Sequence, residues 1–177
     1  MSKKRVGITG SDGIVGTKLS SAFANQYDLR RYTLNTVVYE SVIADLSDPE
    51  QVRGIFDGLD CLVHLAAEMS ARAPWEKILP NNIIATQNVF AEAVRAGVKK
   101  IVLASTNHTQ HGHFMKDLQA HLTDTSVEGR FNIEDGPHPD SIYGVSKLFG
   151  ENLGRYYATV AGLQFVALRI GWTTVAD

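Results

Sequence analysis

Two side chains with complementary chemistry, Tyr143 and Lys147, lie four residues apart in the segment S-I-Y-G-V-S-K. In a helix this spacing puts both side chains on one face, one turn apart. A lysine ammonium near a phenol favours the phenolate, so we expect the lysine to pull the tyrosine pKa from about 10 toward neutrality. Beside a nicotinamide ring, such a phenolate can accept a hydroxyl proton while hydride leaves the carbon. The pair therefore predicts an oxidoreductase site.

A glycine-rich loop near the N-terminus is the second chemical motif. Gly10, Gly13 and Gly16 follow an apolar strand and open a helix. In this context they permit a tight turn, close approach of a pyrophosphate and close packing of helix on strand, which makes three otherwise weak glycines a strong dinucleotide signal. Asp12 lies inside the loop. Because a carboxylate beside a pyrophosphate is unfavourable, we expect Asp12 to face solvent or to cap backbone.

The end of the second predicted strand should distinguish NAD from NADP, since an acid there accepts from the ribose hydroxyls and repels a 2′-phosphate. The segment reads D-L-R-R-Y-T-L-N and places Thr33 at the reading position. Arg30 or Arg31 could meet a 2′-phosphate, but each could equally be a solvated strand residue. This segment leaves the choice between NAD and NADP nearly even.

Four polar residues, Ser105 to His108, follow another apolar strand. A hydroxyl here can donate to the reacting oxygen opposite Tyr143, while Asn107 and His108 can hold a polyhydroxylated substrate. The alternative is a polar strand end that satisfies its own backbone. The downstream tyrosine and lysine favour the functional interpretation.

The histidines are concentrated in one region. Five of the six lie within or beside residues 107–140, at positions 108, 111, 113, 121 and 138. No cysteine pattern or His-Glu helix motif accompanies them, so we predict no metal site. The sixth, His64, lies in an apolar strand and is expected to be a satisfied core residue.

Bulk properties exclude several classes of function. The chain has 177 residues, a formal net charge of -2 and one cysteine, Cys61. The charge gives no electrostatic case for nucleic acid or an anionic membrane, and no apolar run is long enough for a signal peptide core or a membrane span. We therefore expect a cytoplasmic protein, with Cys61 an inert thiol in a reducing compartment.

Short β-branched segments alternate with amphipathic helical segments, which predicts an α/β fold of the Rossmann type, a doubly wound parallel sheet in a single domain over residues 1–177. A capping box of Ser47 and Glu50 should open one helix, Pro80 should end a turn before a long helix over 81–96, and Asp140 should cap the helix that carries Tyr143. Residues 107–140 form a long polar connection with little periodicity, which we interpret as a substrate lid. The predicted strands cover residues 5–9, 29–33, 41–44, 61–66, 100–105 and 164–170.

The chain resembles the extended short-chain dehydrogenase/reductase superfamily, in the group of NAD-dependent epimerases and dehydratases. The resemblance extends over essentially the whole chain and includes the glycine loop, A-D-L at 44–46, L-V-H-L-A-A at 62–67, N-N-I-I-A-T, the A-S-T strand end and Y-G-V-S-K. Within that superfamily, A-S-T-N-H followed by S-I-Y-G-V-S-K-L-F-G-E-N is similar to uronate dehydrogenases. The segment A-P-W-E-K-I-L-P-N-N-I is similar to archaeal-type sugar dehydrogenases that oxidise glucose 6-phosphate.

The resemblance implies a role for each matching position. Tyr143 would be the base, Lys147 would bind the nicotinamide ribose, and Thr106 would be the hydroxyl partner, with Ser105 as runner-up. Substrate contacts would come from Asn107 and His108, and from Ser70 and Arg72 in a nearby loop. The implied cofactor-binding set also contains Gly10, Gly13, Ile14, Val15, Gly16, Thr33, Asp45, Leu46, Leu65, Ala66, Ala67 and Asn82.

The function that this resemblance implies is NAD(P)-dependent oxidation of the anomeric carbon of a sugar, a uronate or glucose 6-phosphate, to a lactone. The alternatives are sugar-nucleotide epimerisation or dehydration, and a catalytically silent or truncated NAD(P)-binding module. Three departures bear on the choice: no acid follows the second strand, Trp172 stands where uronate dehydrogenases have a small polar residue, and the chain is expected to lack the usual C-terminal substrate segment. The resemblance also implies a homodimer built from helices near 81–96 and 141–157.

Overall fold

The computed structural model describes residues 2–35, 39–116 and 133–173 and folds them into alternating strands and helices. The strands are β1 (Arg5–Thr9), β2 (Asp28–Thr33), β3 (Val42–Ile43), β4 (Cys61–His64), β5 (Lys100–Thr106) and β6 (Gln164–Ile170). The helices are α1 (Ile14–Phe23), α2 (Pro49–Val52), α3 (Trp75–Ile78), α4 (Ala85–Arg95), α5 (His111–Lys116) and α6 (Ile142–Ala161), with a π-helical segment at Leu79–Ile84 and 3₁₀ turns at Asn107–Thr109 and Ile133–Asp135. In this part of the chain no helix is both long and apolar enough to span a membrane.

The six strands form one parallel sheet in the order β3-β2-β1-β4-β5-β6. The chain moves outward from β1 to β3 on one side and then from β4 to β6 on the other, so the direction of winding reverses between β1 and β4. Ligands of such sheets bind beyond the carboxyl ends of the strands at this reversal. The predicted doubly wound parallel sheet is confirmed, and it brings the glycine loop after β1 beside the segment after β4.

Each face of the sheet has its own apolar core. The larger core lies against α4 and α6 and contains Tyr32, Phe56, Leu62, Phe90 and Leu103 among its buried residues. The smaller core joins Val6, Ile8 and Val63 to Leu19 of α1. Helices on both faces explain why β4 reads as a continuous apolar run.

Two helix starts differ from the prediction by one residue. The N-cap of α2 is Asp48, whose side chain accepts from the Glu50 backbone N–H, so the expected Ser47 capping box is wrong. The N-cap of α6 is Ser141, whose hydroxyl accepts from the Gly144 N–H. Asp140 is therefore not the cap, and its carboxylate is available to contact histidines instead.

Pro80 does not separate a turn from a helix, as the sequence predicts, but lies within a helical run that continues from Trp75 to Arg95. The six residues Leu79–Ile84 adopt π-helical geometry, and the Ala85 N–H bonds the Pro80 carbonyl five residues back. Proline lacks the N–H that an α-helix requires and clashes with the preceding turn. The wider π turn accommodates it without ending the helix.

The ends of the long connection 107–140 are folded, in contrast to the aperiodic loop that the sequence predicts. Its start forms a 3₁₀ turn and α5, and its end returns beside that start. The His138 N–H donates to the Thr109 carbonyl (2.8 Å), and the Gly112 N–H donates to the His138 carbonyl (2.7 Å). The lid function predicted for this connection concerns residues that fall partly outside the described ranges, and it stays a prediction.

His64 links β1, β4 and α4 through a buried hydrogen-bond chain. Its Nδ1 lies 2.7 Å from Thr9 Oγ1, and its Nε2 lies 3.3 Å from Thr86 Oγ1. Thr9 Oγ1 already accepts from the backbone N–H groups of Leu65 and Ala66, so its own proton goes to His64 Nδ1. The imidazole is therefore neutral with its proton on Nε2, and it is a satisfied core residue as expected.

Burial lowers the pKa of His64 to about 3. An unfolded histidine binds a proton near pH 6.5, so below that pH the unfolded state binds more protons than the folded state. We therefore expect the free energy of unfolding to fall as pH drops from about 6.5 toward 3, by up to about 1.4 kcal/mol per pH unit. Urea titrations at several pH values measure this slope. His64→Asn, which cannot titrate, should show a shallower slope, and equal slopes would contradict the prediction.

Candidate active site

Two cavities meet at Gly10 and form one groove along the carboxyl ends of the strands. The cavity on the β2 side has a volume of about 470 Å³, and the one on the β5 side about 360 Å³. The first is lined by Gly10, Thr33, Leu34, Ala44, Asp45, Leu46, Ser47, Ala66, Ala67, Glu68, Lys77, Asn81 and Ala85. The second is lined by Gly10, Gly13, Ile14, Val15, Gly16, Leu65, Met69, Ala104, Ser105, Thr106, Asn107, His108, Tyr143, Lys147, Ile170, Gly171, Trp172 and Thr173.

The glycine loop has the geometry that a dinucleotide pyrophosphate requires. Gly10 has a left-handed φ of 66°, and a Cβ there would lie 2.8 Å from the Ala66 nitrogen. A Cβ on Gly16 would overlap the Gly10 carbonyl oxygen. The N-terminus of α1 has no side-chain cap within the described structure, so its first N–H groups are free to meet an anion. The residues present therefore fit a bound NAD(P).

The Asp12 carboxylate neither faces solvent nor caps backbone, in contrast to what the sequence predicts. Both of its carboxylate oxygens are buried, and neither has a hydrogen-bond partner among the described residues. Its position immediately before the N-cap of α1 puts the charge at the positive end of the helix dipole, which is a favourable place for an anion. The glycine loop thus contains one buried carboxylate, that of Asp12, with no direct hydrogen-bond partner in the described part of the chain.

Gly13 and Gly16 provide a matched pair of substitutions in one loop. Gly16→Ala should lower the free energy of unfolding by about 1–3 kcal/mol, because its Cβ has no space between backbone atoms. A Cβ on Gly13 would be 3.4 Å from the Gly10 oxygen and otherwise open to the groove, so Gly13→Ala should fold normally. We expect Gly13→Ala to raise the Kd for NAD+ at least about tenfold, or ~1.4 kcal/mol, by separating backbone from pyrophosphate. Calorimetric titration and urea unfolding would show the two effects, and unchanged cofactor affinity in Gly13→Ala would contradict this account.

The β2-side cavity contains the residues expected at the adenosine end. Thr33 is buried at its wall, and Asp45 and Leu46 line it together with Ala66 and Ala67, which are expected nearer the pyrophosphate and ribose. The Asp45 carboxylate is held in place by the Ser47 N–H at 2.8 Å and the Ser47 hydroxyl at 2.7 Å. These contacts leave its second oxygen available for an exocyclic amine.

Neither of the two arginines of β2 lines this cavity. The Arg30 guanidinium donates to the carbonyl oxygens of Ile55 and Asp57. The Arg31 guanidinium lies over the Tyr39 ring, 4.8 Å from its centroid. Within the described residues, the suggestion that either arginine meets a 2′-phosphate receives no structural support.

The β5-side cavity brings together Thr106, Tyr143 and Lys147. Tyr143 is 8% exposed, and Lys147 lies one turn along the same helix with its Nζ 5.9 Å from the tyrosine ring centroid. Burial lowers the pKa of Lys147 to about 8. Burial also raises the pKa of Tyr143, and a hydrogen bond with Thr106 offsets part of that rise. The expectation that the lysine alone pulls the tyrosine pKa toward neutrality is therefore wrong for the chain by itself.

Ser105 and Thr106 are adjacent but have different partners. The Ser105 hydroxyl donates to Glu151 Oε1 at 2.6 Å, and Arg169 donates to both oxygens of the same carboxylate at 2.9 and 2.8 Å. This buried network ties β5, β6 and α6 together behind the cavity. The Ser105 hydroxyl is thus committed to Glu151, which leaves Thr106 as the hydroxyl beside Tyr143.

Asn107 and His108 line the β5-side cavity, whereas Asn82, expected among the cofactor-binding residues, lines neither of the two cavities. The His108 ring lies against the ring of Tyr143, with their centroids 5.8 Å apart. Asn82 is buried and donates to Ser146 Oγ at 2.9 Å and to the Glu68 carbonyl at 3.0 Å, while its own oxygen accepts from the Glu68 N–H. It therefore joins the π-helical segment to α6 and to the connecting segment that follows β4.

Ser70 and Arg72 are the candidates that the structure does not bring to the groove. Both are exposed, and within the described residues neither lines a cavity. The neighbouring Met69 lines the β5-side cavity instead, and so does Trp172, which is 92% exposed. Sequence reasoning identified Trp172 only as a departure from a pattern, and no local signal marks Met69.

Comparison with known proteins gives consistent results. Residues 6–172 match the model of the NAD dependent epimerase/dehydratase family. The chain is 38% identical to the L-arabinose 1-dehydrogenase (NAD(P)(+)) of Haloferax volcanii over 98% of the chain and 68% of that protein. It is 34% identical to the NAD-dependent glucose-6-phosphate dehydrogenase of the same organism, over 93% of the chain and 66% of that protein.

The fold comparison agrees with these relatives. The crystal structure of uronate dehydrogenase from Agrobacterium tumefaciens superimposes with a TM-score of 0.83 at 32% identity, covering 100% of this chain and 64% of that one. The chain thus spans about two thirds of the length of the proteins that it matches.

Proposed function

The chain belongs to the NAD-dependent epimerase/dehydratase family, and we propose that it is a sugar dehydrogenase that oxidises the anomeric carbon of an aldose to a lactone with NAD(P)+ as acceptor. One observation carries this proposal. The side chains of Thr106, Tyr143 and Lys147 line the same cavity as the glycine loop, at the end of the groove opposite the adenosine wall. A proton acceptor therefore lies beside the place where a nicotinamide ring would end.

Each of these residues has a separate task. Bound NAD(P)+ supplies the hydride acceptor. Tyr143 accepts the proton of the C1 hydroxyl, and Thr106 donates to the reacting oxygen and holds it against the phenol. Lys147 is buried within reach of the tyrosine ring, where its ammonium can bind the cofactor ribose and favour the phenolate. Because burial raises the pKa of Tyr143 in the chain alone, the positive nicotinamide is expected to supply part of the lowering.

The adenosine wall favours acceptance of both cofactors. Thr33 has no carboxylate to repel a 2′-phosphate, and it stands where an acid would select NAD. The L-arabinose 1-dehydrogenase (NAD(P)(+)) of Haloferax volcanii, one of the relatives, is named for both cofactors. We propose that NAD+ is the principal acceptor and that NADP+ also supports turnover.

The polar residues at the reacting end suit a polyhydroxylated substrate. Asn107 and His108 present an amide and an imidazole to the cavity, next to Thr106. Such groups bind hydroxyls by direct hydrogen bonds. The named substrates of the relatives, L-arabinose and glucose 6-phosphate, and the uronates of the structural neighbour define the panel of candidates.

The test is the appearance of reduced nicotinamide at 340 nm when the purified chain is mixed with each sugar and either NAD+ or NADP+. Turnover with at least one pair, lost in Tyr143→Phe, is the expected result. Folded protein that binds NAD+ but turns over no sugar would contradict the dehydrogenase proposal. If a nucleotide sugar were converted without net NADH release, epimerisation would replace it.

We also propose that the chain forms a homodimer through α4 and α6. Several large apolar side chains on or next to these helices are exposed: Ile84 immediately before α4, and Val145, Tyr156 and Val160 on α6. Burying such a patch against a second copy would favour association. The chain has a mass of 19.4 kDa, and light scattering after gel filtration should give twice that mass. The double variant Tyr156→Lys/Val160→Lys should give the mass of the monomer.

A further inference from the structure

Three potential metal ligands converge next to the reacting end of the groove. His108 lies in the 3₁₀ turn after β5, His111 begins α5, and Asp140 precedes the N-cap of α6. Their ligand atoms all lie within 4.8 Å of one another. We propose that His108, His111 and Asp140 bind one divalent transition-metal ion such as Zn²⁺.

The distances are close to those that a tetrahedral ion requires. His108 Nδ1 lies 2.8 Å and His111 Nδ1 lies 3.3 Å from Asp140 Oδ2. Zinc bonds of about 2.0–2.1 Å in a tetrahedron separate neighbouring ligand atoms by roughly 3.3 Å. The two imidazole rings are 4.6 Å apart at their centroids, and all three ligand atoms lie within 4.8 Å of one another.

The chemistry of the set selects the class of ion. Two imidazoles and one carboxylate suit zinc, cobalt or nickel, whereas magnesium and calcium prefer oxygen ligands. The three side chains are 26%, 23% and 16% exposed, so a fourth position remains open to water. The Ser141 hydroxyl donates to Asp140 Oδ1 at 2.8 Å and would orient the ligating carboxylate from outside.

Backbone hydrogen bonds fix the chain around the three proposed ligands without a bound ion. The Asp140 N–H donates to the His108 carbonyl at 3.3 Å, and His138 exchanges backbone hydrogen bonds with Thr109 and Gly112. These contacts bring the two ends of the connection 107–140 side by side. An ion there would crosslink both ends and hold His108 at its position against Tyr143, which stabilises the folded state by mass action.

The sequence predicts no metal site, because no zinc motif contains these histidines. The third ligand, Asp140, is far along the chain, and its pattern indicates a helix cap. Because Ser141 is the actual cap, the Asp140 carboxylate is available to the histidines. The site arises from the fold rather than from ligand spacing.

The test uses the whole chain, stripped of metal by chelation and dialysis and titrated with Zn²⁺ at pH 8. Calorimetry should give one equivalent bound, and thermal unfolding should shift to a higher Tm with Zn²⁺. In His111→Ala the affinity should be at least about tenfold weaker, and the Tm shift should disappear. His113→Ala, which changes a nearby histidine outside the set, should bind like the unmodified chain.

A second readout does not depend on the stability of the variants. Co²⁺ in a tetrahedral site gives intense visible absorption, and the unmodified chain should show it while His111→Ala and Asp140→Ala should not. Absence of stoichiometric binding, or equal binding by His111→Ala, would overturn the proposal. Loss of binding in His113→Ala alone would overturn it as well, by assigning the ion to other histidines. None of these measurements requires turnover, so they stand apart from the test of the dehydrogenase.

Discussion

Replacing Tyr143 by phenylalanine is expected to lower kcat for sugar oxidation by about 10²–10⁴-fold, the usual contribution of a positioned acid–base group. The ring is buried and the substitution removes only the hydroxyl, so the fold and the Kd for NAD+ should change little. Tyr157→Phe is a matched control, because it makes the same chemical change elsewhere on α6. The Tyr157 hydroxyl accepts from the Gln87 side chain of α4. The kcat of this control variant should stay within about twofold.

The pH profile gives a second check on the same group. Burial raises the pKa of Tyr143 in the free chain, and only the deprotonated phenol accepts the substrate proton. We therefore expect kcat/KM for oxidation to increase with pH through the neutral range, since this parameter reports ionisations of the free enzyme. A flat profile, or a Tyr143→Phe variant with unchanged kcat, would remove the tyrosine from the base position.

Replacing Lys147 by methionine should change activity and stability in opposite directions. Burial lowers the pKa of Lys147 to about 8 from an ordinary value of 10.5. Below pH 8 both folded and unfolded chains are protonated at this residue, and the full cost of burying the ammonium is present. Between pH 8 and 10.5 the unfolded chain binds the proton and the folded chain does not, so stability rises with pH.

Methionine has a similar length and no charge to bury. Lys147→Met should therefore raise the free energy of unfolding at pH 7 by up to roughly 3 kcal/mol, and the gain should shrink toward pH 10.5. Turnover should fall by about 10²-fold or more, because the variant lacks the ammonium proposed to bind the cofactor ribose beside Tyr143. Urea unfolding at pH 7 and pH 10, with activity measured on the same preparations, tests both effects. A less stable variant at pH 7 would contradict the buried-charge explanation.

The parts of the fold that the sequence predicts well depend on local pattern. All six strands were placed within a few residues, because β-branched apolar runs bounded by polar residues form strands when both faces are covered. The sequence also identifies most groove residues, because Gly10 and Thr106 lie at the carboxyl ends of those strands and Tyr143 is marked by its spacing from Lys147. For these residues, the residue type and the position in the chain both indicate a place in the groove.

What the sequence did not predict depends on contacts between distant segments. The commitment of Ser105 to Glu151 requires β5 to meet α6, and no local pattern encodes that meeting. The helix caps were misassigned by one residue because Ser47 and Asp48, like Asp140 and Ser141, are all good cap residues. Backbone conformation at the junction decides between neighbours of equal propensity.

The π-helical segment around Pro80 also sets the rotational phase of the helix that contains it. Each residue of an α-helix advances by about 100°, so one wide turn offsets the faces before and after it by that order. The offset lets Lys77 and Asn81 line the β2-side cavity and Asn82 reach Ser146, while Val89 and Phe90 still enter the core. Deleting one residue from this turn would restore a regular helix and turn one of these two faces away from its partners. The length of the segment is therefore as constrained as its composition.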